Sequence, residues 1–352
     1  MRSGWDWTLT LAILGIGALS LLAIFSINKN LALSQAVFWL GGLLLFTFFS
    51  FIDFRNWPKL SVYLYILVLI FLISLPVISE PVRGSVRWFD LGFIRFQPSE
   101  IAKVASILVL AAFYKTRSAA SIKNLIFSFL IILPAIMLII FEPDIGNSLT
   151  LVAVWIGISA AAGLKIRHIF ALVVVSSAVA FLVFNNLAPY QKERINTFLN
   201  PNADPLGTGF AIIQSKIAIG SGQFFGRGLG QGSQSQLNFL PEAESDFIFA
   251  SITEQLGLLG ALILIALFVL LVVKILSFVR SADRFGQLII AGCVSYLILQ
   301  FFINIGMNMA VLPVTGITLP LVSYGGSSLI STLFLFGIIL SIKRLSTGAK
   351  NW

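Results

Sequence analysis

Hydrophobic residues run along this chain in long, nearly charge-free stretches separated by short polar clusters. A helix needs about 20 mostly apolar residues to cross the hydrocarbon core of a bilayer. Stretches of that kind recur at 8–27, 34–52, 60–79, 99–114, 124–141, 146–164, 169–189, 247–273, 286–310 and 322–342. They predict an all-α polytopic membrane protein with ten transmembrane helices, forming a single membrane domain over 1–352. The charge-free run from Phe285 to Ile342 is too long for one span, and Pro313, Gly316 and Pro320 divide it into the last two. The first stretch is long for a signal peptide and lacks a small-residue cleavage site, so it is expected to remain as a helix. Between the seventh and eighth spans lies a polar segment, 190–246, far longer than ordinary connections. Within it Phe210, Ile213 and Ile217 recur at helical spacing, which predicts a short interfacial helix over 207–219.

Composition agrees with this pattern. Of 352 residues, 58% are hydrophobic and 11% charged, a balance that needs a bilayer as solvent. The single Cys293 and single His168 exclude a disulfide framework, a Cys or His zinc cluster and any nucleophilic pair that needs a second histidine. Chemistry is left to carboxylates, amines, guanidiniums, hydroxyls and backbone. The net charge of +9 reads first as topology rather than as an affinity for nucleic acid. With both termini cytoplasmic, fourteen of the twenty-three Lys and Arg fall on the inner side. Eleven of the fourteen acids fall at or above the outer membrane face, beside a second group of bases that includes Arg87, Lys192, Arg194, Lys216 and Arg227. Such a mixed-charge surface above bare helices suits either a solvated face or chemistry on an anionic partner.

Individual residues sharpen the second reading. Asp246 is the last charge before the eighth span, where an Asp serves as a helix N-cap or as a carboxylate held rigidly at the bilayer surface to take a proton from a hydroxyl. Glu254, at hydrocarbon depth, needs a partner or a wet cavity. Glu100 and Lys103 stand three apart and predict an ion pair on one helix face, structural or in contact with substrate. Asp144, in Pro143-Asp144-Ile145-Gly146, predicts a cap of the sixth span. Arg87 beside Trp88 suits the headgroup zone, where guanidinium meets phosphate and indole anchors the interface. The run Gly220-Ser221-Gly222-Gln223-Phe224-Phe225-Gly226-Arg227-Gly228-Leu229-Gly230 allows close backbone approach to a ligand, or simply a flexible connection.

Taken in order, several segments resemble the SEDS family, of RodA and FtsW type. They are 84–92 (GSVRWFDLG), 96–103 (FQPSEIAK), 142–146 (EPDIG), 214–222 (QSKIAIGSG), 240–249 (LPEAESDFIF) and 312–328 (LPVTGITLPLVSYGGSS). The stretch 232–237, the short amino terminus with Asp6-Trp7 and the absence of a long C-terminal tail look more like RodA, whereas Thr318 looks like FtsW. Glu244, Ser245, Gln223, Phe224 and Ala310 depart from the family's usual residues.

The resemblance implies a peptidoglycan glycosyltransferase of the bacterial cytoplasmic membrane that polymerises lipid II at the outer face, in cell elongation or division, with a class B penicillin-binding protein as partner. It implies Asp246 as the catalytic acid-base residue. It places Arg87, Trp88, Glu100, Lys103, Lys192, Arg194, Lys216, Arg227, Glu242, Ser323 and Tyr324 among the substrate-binding candidates. Because the donor's pyrophosphate already leaves readily, the protein needs a base for the acceptor hydroxyl and positive charge for the leaving group. No cofactor is required by this scheme, although a divalent cation, Mg or Mn, could bridge phosphate and Asp246. A lipid II flippase, with charge near the midplane on discontinuous helices, and a noncatalytic scaffold for a penicillin-binding protein are the alternatives.

Overall fold

The computed structural model describes residues 5–79, 86–90, 92, 95–185 and 189–348. Gly84, Ser85 and Leu91 of the first motif lie outside the described residues, as does the side chain of Arg194. The chain is built from α1 (Trp7–Ile27), α2 (Lys29–Phe51), α3 (Trp57–Ile78), an antiparallel pair β1 (Phe89–Asp90) and β2 (Arg95–Phe96), α4 (Pro98–Tyr114), α5 (Ile122–Phe141), α6 (Ile145–Ala161), α7 (Ile166–Asn185), α8 (Pro189–Leu199), α9 (Phe210–Gly222), α10 (Ser233–Gln236), α11 (Ile248–Ser277), α12 (Arg284–Asn308) and α13 (Gly326–Gly348). Each apolar stretch read from the sequence overlaps a helix, the seventh running past Asn185 into 186–188, outside the described residues. Among the described residues seven helices are both long and apolar enough to cross a bilayer, and α6 is a shorter apolar helix.

Short polar residues start these helices where their first amides need acceptors. Asp6 accepts from the amide of Leu9, Asp144 from that of Asn147 and Asp283 from that of Gly286, at 2.8–3.0 Å. Lateral packing sorts each helix into a buried stripe and a bare apolar face. On α1 Leu9, Ile13, Ile16, Ser20 and Ile24 are buried, while Leu11, Leu14, Leu22 and Phe25 are exposed, as lipid contact requires. Small residues let backbones approach: a side chain at Gly42 of α2 would collide with Leu333, and one at Gly337 of α13 with Phe46. Helix α4 occupies the centre, packed against α3, α6, α12 and α13, and is buried on nearly every side.

Three features differ from the sequence expectation. The helix expected over 207–219 is α9, shifted to Phe210–Gly222. Its buried face is Ile212, Ser215, Ala218 and Gly222 rather than the Phe210, Ile213, Ile217 stripe, because small residues allow α9 to lie directly on α11. The last helix starts at Gly326, since 309–325 forms an irregular loop with Ala310, Gly316 and Leu321 at positive φ. Helix α11 is broken at Gly257, whose φ of 68° and ψ of −166° only glycine adopts readily.

The glycine-rich run fills that break. Carbonyls of Gln223 and Phe224 accept from the amides of Leu258 and Leu259 at 2.8 and 3.1 Å. Amides of Arg227 and Gly228 donate to the carbonyls of Glu254 and Gln255 at 2.9 and 3.0 Å. The hairpin therefore replaces the hydrogen bonds that the broken helix gives up on both sides. Gly226, at positive φ, lies so close to the Gln255 carbonyl that a side chain there would overlap it. The glycines serve this contact between two backbones.

Candidate active site

The segment Glu242–Phe247 enters α11 as a tight turn, with the amides of Ser245 and Phe247 both donating to the Glu242 carbonyl at 3.1 Å. Glu242 adopts φ 50° at its apex and its carboxylate accepts from the Ser245 hydroxyl at 3.0 Å. Beneath the turn Leu240, Ala243, Phe247 and Ala250 pack with Ala218 of α9 into a small apolar cluster of their own. The N-cap position of α11 is Phe247, whose own side chain offers no acceptor to the first amides of the helix. Asp246 stands one residue before it, in a half-buried position.

Two elements distant in sequence fix this turn. From α12, the side-chain amides of Asn304 and Asn308 both donate to the Asp246 carbonyl, at 3.0 and 2.9 Å. Asn304 also donates to the Ile317 carbonyl at 2.8 Å, and the Asn308 oxygen accepts from the Ala250 amide at 3.0 Å. From the 309–325 loop, the Ser323 hydroxyl donates to the Ser245 carbonyl at 2.6 Å and the Tyr324 amide to the Glu244 carbonyl at 2.8 Å. That loop is itself held by buried polar residues of the membrane helices. Ser20 donates to the Val322 carbonyl at 2.7 Å, and Gln35 bonds the Ser323 carbonyl and the Gly325 amide. Gly316 faces the Asp246 carboxylate, and a methyl group there would sit 3.6 Å from its Oδ2. The acid is thus presented on a fixed backbone beside a position without a side chain.

A second polar cluster adjoins the same loop, because Gly146 of α6 packs against the Thr315 carbonyl and Ile317. Lys103 and Glu100 form the expected ion pair at 2.7 Å, with both side chains almost fully buried and the ammonium 5.1 Å from the centre of the Tyr296 ring. Asn147 bridges Ser99, Glu100 and Asp144, and Gln97 also reaches Asp144 at 3.3 Å. Arg87 donates to the carbonyls of Glu142 and Pro143 at 2.9 and 2.6 Å, closing the C-terminus of α5. Glu142 is buried, and neither carboxylate oxygen has a hydrogen-bond partner among the described residues. Burial, reinforced by the Asp144 charge and opposed by Arg87, pushes its pKa up to about 8.

Of the remaining candidates, Glu254 lies away from open surface and the bases of the loop are exposed. Glu254 is buried and accepts from the amides of Gln234 and Ser235 and the Ser235 hydroxyl, so it fastens α10 to α11 and meets its need for a partner. Lys216 on α9 and Lys192 on α8 are exposed, and Trp88 is half-buried. Arg227 is exposed, with its amide on Glu254, eight residues and about 12 Å along α11 from Asp246. Among the described residues no group of three or more His, Cys, Asp or Glu gathers as a metal centre would. Sequence reasoning missed Asn304, Asn308, Gln35 and Asn147 because it followed charge. Two asparagines four apart in an apolar helix carry their own signal, since each buried amide needs partners.

The fold and this surface define a multi-pass membrane protein with an acid fixed where a helix meets a polar loop face. The family described as cell cycle protein (FtsW, RodA, SpoVE) matches residues 7–348, and the chain belongs to that family, the SEDS proteins. It is 42% identical over 304 residues to the peptidoglycan glycosyltransferase MrdB of Escherichia coli K12, covering 86% of this chain and 82% of that one. It is 38% identical to a probable peptidoglycan glycosyltransferase FtsW of Coxiella burnetii, covering 86% and 83%. Among solved structures, a chain from a peptidoglycan synthase complex in which polymerization and crosslinking are coordinated superposes with a TM-score of 0.86 at 33% identity, covering 97% and 98%. The rod shape determining protein RodA of Thermus thermophilus superposes at 0.74 with 28% identity, covering 97% of each chain.

Proposed function

We propose that this chain is a peptidoglycan glycosyltransferase that polymerises lipid II at the outer face of the cytoplasmic membrane, with Asp246 as its general base. The observation that carries the reading is the hold on Asp246: two asparagines on its own carbonyl, two further clamps on the adjoining carbonyls, and a glycine facing its carboxylate. In the reaction Asp246 takes the proton of the acceptor sugar hydroxyl, the oxygen attacks the anomeric carbon, and the lipid pyrophosphate departs with the bonding electrons. Direct displacement inverts the anomeric centre. A backbone fixed in advance is what a base at such a centre needs, because misplacement by about 1 Å costs about a hundredfold in rate.

Positive charge for the pyrophosphate comes in this reading from Lys192, Arg194 and Lys216 on the loop helices. Glu242, Ser323 and Tyr324 shape the turn and the substrate's approach, and Arg87 and Trp88 border the surface. A divalent cation would be held by Asp246, whose single carboxylate fits magnesium, which commonly takes one or two carboxylates together with substrate phosphates. Bound there it would neutralise the pyrophosphate charge. We further propose ten membrane spans with cytoplasmic termini, the 190–246 segment as the outer loop, a class B penicillin-binding protein as partner, and a role in elongation, in line with the likeness to MrdB and RodA. The charges that favour a flippase have structural partners here, Glu100 with Lys103 and Glu254 with α10, and the break at Gly257 has its backbone groups taken by the hairpin rather than left for an ion.

Glycan polymerisation from purified lipid II, with the penicillin-binding partner present, tests the proposal. Asp246→Asn keeps the size of the side chain but cannot accept the proton, so polymer should vanish while folding and partner binding persist. Equal product from both proteins would remove Asp246 from the chemistry and return the transporter and scaffold readings.

A further inference from the structure

The hairpin that fills the break in α11 carries two exposed phenylalanines, and its height in the bilayer follows from two independent rulers. First, Leu258–Ser277 is a helix of twenty residues, about 30 Å long, the thickness of the hydrocarbon core. Lys274 near its end pairs with Asp6, the cap that starts α1, at 3.0 Å, which sets one membrane boundary. Gly257, seventeen residues and about 26 Å from Lys274, then lies close to the opposite boundary. Second, α1 runs antiparallel to α11 with Asp6 beside Lys274 and Gly15 against Leu267, and at its far end the Ser26 carbonyl accepts from Gln236 of α10. That register brings the break level with the last turn of α1, and α10 with it.

At this level Phe224 is 51% and Phe225 78% exposed, continuous with Leu258 and Leu259 on the bare face of α11. Two residues on, Arg227 turns its exposed side chain out from the same hairpin. We propose that the 222–230 hairpin is seated in the outer leaflet, with Phe224 and Phe225 among phospholipid acyl chains and Arg227 at the phosphates. Phospholipid is the occupant that fits, because the apolar patch continues a lipid-facing helix surface at the hydrocarbon boundary and a guanidinium stands where headgroups lie. This seat would hold the far end of the α11 segment that begins at Asp246 at a fixed depth.

The inference rests on the proposed membrane orientation and not on the catalytic reading. Its test uses the full chain in nanodiscs of phosphatidylethanolamine and phosphatidylglycerol, with the buried Cys293 changed to Ser and a nitroxide attached at Phe225→Cys, Phe224→Cys, Arg227→Cys, Gln231→Cys or Leu262→Cys. The labels at 224 and 225 should collide with oxygen in preference to a soluble nickel chelate, as at 262, while those at 227 and 231 show the reverse. Nickel access at 224 and 225 equal to that at 231 would overturn the proposal. So would shielding of both positions from either reagent only when a penicillin-binding protein is added, since the occupant would then be a protein helix. The same pattern in an Asp246→Asn background separates this result from the fate of the catalytic assignment.

Discussion

Asp246 owes its placement to groups that are themselves buried and saturated. Asn304 and Asn308 each spend a side-chain donor on its carbonyl, and Asn308 also supplies the acceptor that the Ala250 amide needs at the start of α11. Removing either amide leaves buried backbone groups unpaired, at a cost of about 1–3 kcal/mol, and frees the turn to shift. Asn304→Ala and Asn308→Ala should therefore lower kcat for polymerisation, by up to about a hundredfold, with KM nearly unchanged. A raised KM at native kcat would instead make them substrate contacts. Glu142 gives a prediction of a different kind. Its pKa rises from an ordinary 4.5 to about 8 because burial and the neighbouring Asp144 disfavour its charge more than Arg87 favours it. The folded state thus holds this proton more tightly than the unfolded state. The resulting stability is complete below pH 4.5 and is lost as pH rises through 8. Glu142→Gln has no such loss, so its melting temperature relative to the native protein should climb between pH 5 and pH 8. Parallel melting curves would show that Glu142 is hydrated and ionised at neutral pH.

At the scale of elements, the long apolar stretches were legible because a membrane helix must satisfy its backbone internally and can afford few charges. Asp246 and the Glu100–Lys103 pair were legible for the same reason, since charge stands out in such a sequence. The break at Gly257 was not. Leucine and glycine continue the apolar pattern on both sides of it, and what stabilises the break is a hairpin some 30 residues upstream that sequence order does not announce. The same holds for the turn around Asp246, whose clamps come from 58, 62 and 78 positions away. The glycine-rich run was open to two readings, and its hydrogen bonds to α11 give it a structural task. From this follows a sharp expectation for Gly257→Ala. A side chain there would collide with the Gly226 amide and the Phe224 carbonyl, and the backbone angles forbid it independently. The variant should fail to accumulate in membranes or should melt far below the native protein, whereas Gly220→Ala, in open space, should be silent. Equal yield of the two variants would mean that the break is dispensable.

The whole molecule is organised around α4, which carries the one buried ion pair that the sequence declared. The three acids that the proposed orientation puts on the inner side, Asp6, Asp53 and Asp283, each accept a backbone amide at a helix start, and Asp6 also pairs with Lys274. At the other end of the bundle the acids join a network that reaches its core. Asp144 caps α6 yet also receives Gln97 and Asn147, and through Asn147 it is joined to Glu100 and Lys103 at the core of the bundle. The polar surface thus reaches into the helices along α4 and α6, directly beside the loop that faces Asp246. Lys103 and Glu100 are buried too deeply for water to take over when one is lost. Glu100→Gln or Lys103→Met alone should each cost about 3–5 kcal/mol, because the surviving charge stays in the core without its counterion. The double variant removes both charges and should recover most of that loss, since exchanging a buried pair for neutral groups of similar size is often close to neutral. Thermal unfolding of the four proteins in one detergent measures the coupling directly. A double variant no more stable than the singles would mean that the helices need the individual hydrogen bonds of Glu100 rather than the balance of charge.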